Sequence, residues 1–390
     1  MRPQDHPAER WQQIAENNTL LQAAASLDPT PSGVARLRGT YSAAEIQIAL
    51  DVIAARRSAQ GRLEQAEALI ADSAGTQQAT PAALSAWKAR VLSQRCPGAP
   101  LLDAGCGIGA DTRHLASVMD VRGCDALEAR CWMAARYSGA PVTQKQITCI
   151  DDLDAACVHL DPARRDESGR RIRDPRQWSP NAALIQSIWA TERPACIMLG
   201  PGIDLDVLAP PAGVQVAFCS IGHSLIDAAA LSGTFAQGLP TRRAVRVLEG
   251  VECSGLPERP PSGPPPKEGL FLHVPDPAIE RAQLLHLEAA QHGLHEPAPG
   301  LGLLLGTQAA SSPWLTPWLI EGITPPRTQA MQAWLKAHDA GSVTVRTRGG
   351  AASDVDTLAK TLSGRGQTHW TVFILRLGRK KTALMASKAA

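Results

Sequence analysis

The sequence predicts an α/β protein: a mainly parallel sheet preceded by a helical N-terminal region and followed by a small α+β domain. Three observations support this. Apolar residues recur at helical spacing through residues 1–95, short apolar runs alternate with amphipathic stretches from residue 99, and a proline-rich segment, 257–267, precedes a second mixed pattern. Strands that alternate with helices are typical of β–α–β units, whose strands are parallel.

The N-terminal region, 1–95, is predicted to be helical throughout. Leu84, Trp87 and Val91, for example, recur three or four residues apart, which is the spacing of one helix face. The region carries no catalytic signature.

The central region, 96–256, contains six short apolar runs that we interpret as strands. Each run closes with a turn, a glycine or an acid: PLLDAG, VRGCDA, QITCID, ACVHLDP, ACIMLGPG and VQVAFCSIG. In open parallel sheets, ligands bind at the carboxyl ends of the strands. The acids and glycines that close these runs are therefore the candidate site.

The segment 257–267 contains six prolines in eleven residues, so it is too poor in backbone donors to pair in a sheet. We interpret it as a linker and a domain boundary. The remainder, 268–390, reads as helices and strands that end in a hairpin with its turn at Gly378.

Composition excludes several classes of protein. With 44% hydrophobic and 19% charged residues, the 390-residue chain is globular, and its net charge of +2 excludes a histone-like binder. Nine scattered cysteines without a CxxC pair argue against a zinc ribbon or disulfides and favour a reducing cytosol. The histidines lack metal-ligand spacing, and neither a signal peptide nor an apolar run of about 18 residues occurs. We therefore expect a cytoplasmic protein with neither a metal nor a membrane segment.

The strongest signal is the run Asp103-Ala104-Gly105-Cys106-Gly107-Ile108-Gly109, a strand that enters a glycine-rich turn. Glycine permits a tight turn and a close approach by a ligand. S-adenosylmethionine enzymes have an acid two residues before GxGxG, which Asp103 and the three glycines match. The cofactor's ammonium group also suits a carboxylate. The weaker dinucleotide pattern GxGxxA, ending at Ala110, is the alternative.

Three further acids are candidates for cofactor contacts. Asp125 ends the next run, 22 residues after Asp103, where an acid accepts from ribose hydroxyls. A turn-forming aspartate is the alternative for this position. Asp151 and Asp152 close the third run, and one of them is expected to accept from the adenine amino group, although spacing does not choose between them.

Several motifs resemble those of a bacterial family of S-adenosylmethionine-dependent methyltransferases with a C-terminal THUMP-like domain. They are DPARR (161–165), GRR (169–171), WSP (178–180), GPGID (200–204), VPDPAIERA (274–282) and RLGRKK (376–381). The resemblance covers most of the chain. It implies a Rossmann-like class I methyltransferase sheet at 96–256 and a THUMP-like domain at 268–390. Because THUMP modules belong to RNA-modifying enzymes, it also implies RNA as the substrate.

The DPARR motif follows the fourth run, where methyltransferases receive the methyl acceptor. Enzymes that act on exocyclic amines carry [DNS]PP[FYW] there, and Asp161-Pro162 keeps its first half. We expect Asp161 and the Pro162 carbonyl to orient the acceptor, and Arg164 to stack on a base or hold a phosphate.

Basic residues near this motif are candidates for substrate binding. Residues 164–176 hold six arginines against three acids. The predicted contacts are Arg165, Arg170 and Arg171, with Trp178 as an aromatic face. A lattice of salt bridges with Asp166, Glu167 and Asp174 is the alternative.

The end of the chain is also basic, since residues 370–390 contain five cations and no acid. We expect Arg379, Lys380 and Lys381 to bind RNA, and a solvated basic tail is the alternative. Two positions depart from the family pattern. Met198 stands where a lysine precedes the PG motif, and His223 and Asp227 stand where a Lys–Glu pair follows the sixth strand.

The function predicted from these features is direct methyl transfer from S-adenosylmethionine to an RNA base. Two alternatives remain open at this stage: a non-catalytic RNA-binding protein with a vestigial cofactor fold, and a methyltransferase that acts on a small molecule or a protein.

Overall fold

The computed structural model describes residues 6–27, 31–166, 169–352 and 354–389. The chain forms two compact units. The first comprises Met1–Cys219 and Ile226–Leu239, and the second Ser220–Leu225 and Pro240–Ala390.

The N-terminal region is helical, as predicted. Its helices are α1 (Ala8–Glu16), α2 (Asn18–Ala25), α3 (Pro31–Leu37), α4 (Ala43–Ala59), α5 (Ser73–Gln78) and α6 (Ala82–Arg95). Trp11, Ile48 and Val52 are fully buried in a core that also contains Met133 from a helix of the sheet region. Helices of this region therefore share a core with α-helical residues of the sheet region, which buries apolar faces of both.

The strands that lie wholly or mainly in the first unit are β1 (Leu101–Ala104), β2 (Val121–Asp125), β3 (Val142–Gln144), β4 (Cys157–Leu160), β5 (Ala195–Met198), β6 (Gln215–Ile221) and β7 (Ser224–Ser232). Their order in the sheet is β3-β2-β1-β4-β5-β7-β6. The strands β1 to β5 pair in parallel, and β7 pairs antiparallel with β5. The helices of this part are α7 (Ala110–Ala116), α8 (Glu128–Ser138), α9 (Ala182–Ala190) and α10 (Leu205–Leu208).

The third apolar run is not a strand, which corrects the prediction for QITCID. The third strand is β3, earlier in the chain, and Ile150–Asp152 forms a 3-10 turn. The Asp152 carboxylate closes this turn by accepting from the backbone N–H groups of Thr148 (2.8 Å) and Cys149 (3.0 Å). Local bonding of an acidic side chain to nearby backbone competes with strand pairing.

The second unit contains a hairpin of β8 (Arg242–Arg246) and β9 (Val251–Gly255) and a six-stranded sheet in the order β11-β10-β12-β15-β14-β13. The strands of that sheet are β10 (Phe271–Pro275), β11 (Leu304–Gly306), β12 (Leu315–Thr324), β13 (Ala340–Arg348), β14 (Thr368–Leu377) and β15 (Lys380–Lys388). Its helices are α11 (Pro277–Arg281), α12 (Leu285–His292), α13 (Thr328–Ala337) and α14 (Val355–Leu362). The terminal hairpin turns at Gly378, whose φ is +62°.

The proline-rich segment 257–267 lies within the second unit, because the preceding hairpin belongs there and β8 contacts α11. The sequence-based domain limits at 256 and 268 stay a prediction. The α/β fold with a C-terminal sheet domain is confirmed. Among the described residues, no helix is both long enough and apolar enough to cross a bilayer.

Candidate active site

A cleft of about 560 Å³ opens in the first unit, where β1, β2 and β4 end. The predicted site residues that line it are Asp103, Gly105, Gly107, Asp125, Asp161, Pro162, Arg164, Arg165 and Arg171. These residues come from three loops that are distant in sequence. The parallel pairing of β1 with β2 and β4 brings the loops together.

The glycine loop is shaped by three residues with positive φ: +75° at Gly105, +58° at Gly107 and +85° at Gly109. A Cβ on Gly105 would lie 2.6 Å from the Asp161 carbonyl oxygen, and one on Gly109 would lie 2.8 Å from the Cα of Ala134. Gly107 has open space around the same position. Gly105 and Gly109 thus allow tight packing, whereas Gly107 lets a ligand approach the backbone.

Asp103 is fully buried at the end of β1. Its carboxylate accepts from the Thr112 hydroxyl at 2.5 Å and contacts His159 Nδ1 at 2.7 Å. The parallel register pairs Asp103 with His159 directly across β1 and β4. Two fixed neighbours therefore orient a carboxylate at the cleft wall.

Asp125 bridges the glycine loop and the loop after β2. Its carboxylate accepts from the Gly107 N–H at 3.0 Å and from the Leu127 N–H at 2.9 Å. Burial raises the pKa of Asp125 above its ordinary value, although both bonds oppose the rise. The aspartate thus forms the turn and also lines the cleft, which combines the two readings of this position.

The structure does not bring Asp151 and Asp152 to the cleft. Gln146 and Ile147 line the corresponding wall, just after β3. The acids lie further along the chain because the third strand ends earlier than the apolar run suggested. Their adenine role is unsupported by this geometry.

The acceptor motif places an arginine between two acids. Arg164 lies 3.5 Å from Asp161 Oδ1 and 3.5 Å from Asp227 Oδ1, and all three residues line the cleft. Burial raises the pKa of Asp161 to about 6, with Arg164 opposing the rise and the negative charge of Asp227 adding to it. Asp227 was noted in the sequence only as a departure, and the insertion of β7 beside β5 brings it into the cleft.

The other arginines of this region differ in their positions. Arg165 and Arg171 line the cleft, and Arg164 and Arg171 both approach the backbone of Gly200, where a Cβ would meet their guanidinium groups. Arg170 does not line the cleft. The alternative lattice is present in part, since Asp174 pairs with Arg176 at 2.9 Å, and Glu167 lies outside the described residues.

Trp178 is buried, with 6% of its surface exposed. Its indole N–H donates to the Ile172 carbonyl at 3.1 Å, and its ring is absent from the cleft wall. This contradicts the expectation of an aromatic face for the substrate. A tryptophan that packs beneath the arginine-rich loop fixes that loop instead.

The positions that depart from the family pattern also have structural partners. The ammonium of Lys88, on α6, lies 3.6 Å from the sulfur of Met198. His223 is 63% exposed, and its Nδ1 lies 3.6 Å from Asp276 in the second unit. Sequence spacing gave no signal for Lys88, which precedes its partner His159 by 71 positions in the chain.

In the second unit, the C-terminal basic group consists of Arg379, Lys380 and Lys381, whose side chains differ in their contacts. Arg379 and Lys380 are exposed at the β14–β15 turn, and Lys381 donates to the Ala351 carbonyl at 2.8 Å. Phe373, on β14, is buried in the core. Within the described residues, no group of three or more metal-ligating side chains occurs.

The fold and the cleft define a class of protein. The sheet order, with an antiparallel β7 between β5 and β6 and a glycine loop after β1, is that of a class I methyltransferase.

Comparisons with known proteins agree with this class. A family model described as THUMP domain-like matches residues 315–388. A Mycobacterium tuberculosis (strain H37Rv) protein described as an uncharacterized S-adenosylmethionine-dependent methyltransferase is 29% identical over 339 residues, which are 83% of this chain and 90% of the relative. The same match is found in strain CDC 1551.

The crystal structure of a Porphyromonas gingivalis W83 protein, which has been assigned as a methyltransferase, shares the fold. Its TM-score is 0.76 at 16% identity, over 99% of this chain and all of that one. The predicted combination of a class I methyltransferase fold and a THUMP-like C-terminal domain is confirmed.

Proposed function

We propose that this protein methylates RNA by direct transfer of a methyl group from S-adenosylmethionine to a base. By relationship, the chain is an S-adenosylmethionine-dependent methyltransferase, and the proposal concerns its substrate and its mode of transfer. The main observation behind the proposal is that one cleft is lined by the glycine loop, by the carboxylates of Asp103 and Asp125, and by the segment 161–164.

The chemistry of the cleft suits this cofactor. Its volume is in the usual range for a small-molecule site. Asp103 offers a buried carboxylate for an ammonium group, Asp125 offers an acceptor for ribose hydroxyls, and Gly107 leaves the backbone open. A pyrophosphate would meet two carboxylates here, which disfavours the dinucleotide alternative. When bound, S-adenosylmethionine supplies an electrophilic methyl group on a sulfonium.

The acceptor side is proposed to work mainly by positioning. Asp161, held by Arg164, accepts a hydrogen bond from the amino group of a base, and the Pro162 carbonyl provides a second acceptor. Orientation of two reactants in this way removes a large entropic part of the barrier. Arg164 is held between two carboxylates, whereas Arg165 and Arg171 give the rim of the cleft positive charge, which suits the phosphates of a nucleic acid.

The pH dependence of the rate of methyl transfer should report the ionisation of the Asp161 carboxyl group. The carboxylate must be ionised to accept from an amine, so kcat/KM should fall about tenfold per pH unit below its pKa of about 6 and stay level between pH 7 and 8. In Asp227→Asn the acid limb should move to lower pH, because the negative charge that helps to raise the pKa is removed. A limb that stays in place in this variant would contradict the assignment.

The C-terminal basic group should contribute to RNA affinity. Replacing Arg379, Lys380 and Lys381 with glutamine should flatten the slope of log affinity against log salt by roughly two, because each lost phosphate contact removes about 0.7 from the slope for a single strand. Cofactor affinity should not change. Filter-binding isotherms at several salt concentrations measure the slope for the wild type and for the triple variant.

The matched control removes three other exposed cations from the same unit: Arg327, Lys336 and Lys360, also replaced with glutamine. The net charge changes equally in the two triple variants. If both slopes flatten alike, general charge and not this group determines RNA binding.

The substrate is tested by incubating the protein with tritiated S-adenosylmethionine and total RNA, followed by nucleoside mass spectrometry. We expect label in one modified nucleoside. Label in the protein or small-molecule fraction alone would favour the corresponding methyltransferase, and cofactor binding without any transfer would favour a vestigial cofactor fold.

A further inference from the structure

A chain of buried polar groups includes Asp103, and two of its other members, Asp111 and His159, also line the cleft. Lys88 is 1% exposed, and its Nζ lies 2.6 Å from Asp111 Oδ1 and 3.2 Å from His159 Nε2. His159 Nδ1 in turn lies 2.7 Å from Asp103 Oδ1. The order of contacts is therefore Asp111, Lys88, His159, Asp103.

The ammonium of Lys88 determines where the His159 ring carries its proton. An ammonium group has three donors and no acceptor, so His159 Nε2 must accept from it. Nδ1 then carries the ring proton and donates to Asp103. This arrangement is the neutral Nδ1–H tautomer, and a second proton on Nε2 would face a positive charge at 3.2 Å.

Three charged groups among the described residues lie around the ring, each on a different element. Asp103 lies on β1, Lys88 on α6 and Asp111 on α7, with Asp111 Oδ2 4.0 Å from Nε2. On β5, Cys196 is paired in register with His159, and burial raises the pKa of its thiol to about 12, so the thiol is neutral. Asp161 and Asp227 are further away, at the acceptor side of the cleft.

The balance of charges determines which carboxylate of this cluster keeps its negative charge. Lys88 pairs with Asp111, which also accepts from the hydroxyls of Thr80 and Ser85, both at 2.7 Å. With His159 neutral, the remaining negative charge stays on Asp103, at the cleft wall. A protonated His159 would form an ion pair with Asp103 and cancel that charge.

We propose that Lys88 is a positioning residue for cofactor binding: it holds His159 neutral and so keeps the Asp103 carboxylate charged for the cofactor's ammonium group. This inference rests on the proposed role of Asp103. Lys88 itself does not line the cleft, and the role proposed for it, exerted through His159, is distinct from the stability that any buried ion pair provides.

The test uses the double variant Lys88→Met/Asp111→Asn, which removes both charges of the buried pair and leaves no carboxylate uncompensated. Nitrogen-15 NMR of the histidine ring reads the tautomer and the titration of His159 without any ligand. We expect the neutral Nδ1–H tautomer in the wild type at pH 7, and loss of that tautomer in the double variant as the pH falls.

Calorimetry with S-adenosylhomocysteine, which keeps the ammonium group, gives the second measurement. One pH unit below the His159 midpoint of the double variant, its affinity should be about tenfold weaker than at high pH, because only about a tenth of the molecules are competent. The wild type should lack this loss. Adding His159→Gln to the double variant should abolish the pH dependence.

Ser85→Ala is the matched control, since it removes a donor to Asp111 and does not touch His159. It should lower the unfolding temperature and keep the pH profile of the wild type. If the wild type fails to bind S-adenosylhomocysteine at any pH, the proposed function fails, whereas the NMR result stands by itself. A protonated His159 in the wild type at pH 7, or identical binding profiles in wild type and double variant, would overturn the role of Lys88.

Discussion

Replacing Asp161 with asparagine should lower the rate of methyl transfer by about 10²–10³-fold, the usual cost of losing one preorganised hydrogen-bonding group that acts in the transition state. The amide has nearly the same size, but it loses the negative charge that Arg164 holds at 3.5 Å. Its NH₂ group would donate toward an amine that needs an acceptor. Cofactor affinity should stay within about threefold, because the lost interaction belongs to the transition state.

Single-turnover transfer to RNA and calorimetry with S-adenosylhomocysteine measure the two effects separately. Asp174→Asn is the matched control, since Asp174 is an aspartate of the same arginine-rich segment that pairs with Arg176 and does not line the cleft. It should transfer at the wild-type rate. If transfer survives in Asp161→Asn, the acceptor binds elsewhere.

Asp103→Asn should weaken cofactor binding by about ten- to a hundredfold, since a hydrogen bond to a charged group contributes about 1.5–3 kcal/mol. The amide removes the charge that the ammonium group needs. It also disturbs the bonds from Thr112 and His159, so the variant should unfold at a lower temperature than the wild type.

Asp72→Asn separates these two effects. Asp72 is equally buried in the first unit, where it caps α5 by accepting from the Gly75 N–H at 2.7 Å, and its side chain is not part of the cleft wall. This variant should lose stability and keep its affinity for S-adenosylhomocysteine. Unchanged affinity in Asp103→Asn, or tighter binding of NAD than of S-adenosylmethionine, would reject the cofactor assignment.

Much of the site could be predicted from the sequence, because several of its parts are local. The glycine loop is a short run in which nearby backbone leaves no room for a Cβ at Gly105 and Gly109, Asp125 ends β2, and Asp161 directly follows β4. Strand ends meet at one edge of any parallel sheet, so their convergence follows from the alternating pattern alone.

The incorrect expectations concern residues whose surroundings are set by bonding within a loop. Asp152 accepts from its own turn, and Trp178 donates to Ile172 and turns inward. In the sequence, both read as strand-end or surface side chains available to a ligand. Apolar runs and acids have the same composition whether they pair in a sheet or close a turn.

The sequence by itself determined the class of sheet, the glycine loop and the acids at its strand ends, because each depends on residues close together in the chain. Only the tertiary structure decided the partners of those acids. Asp227 enters the cleft because β7 inserts beside β5, and Lys88 reaches His159 across 71 positions because α6 packs against the sheet. Such contacts depend on packing between distant elements. The spacing of apolar residues within one segment does not encode them.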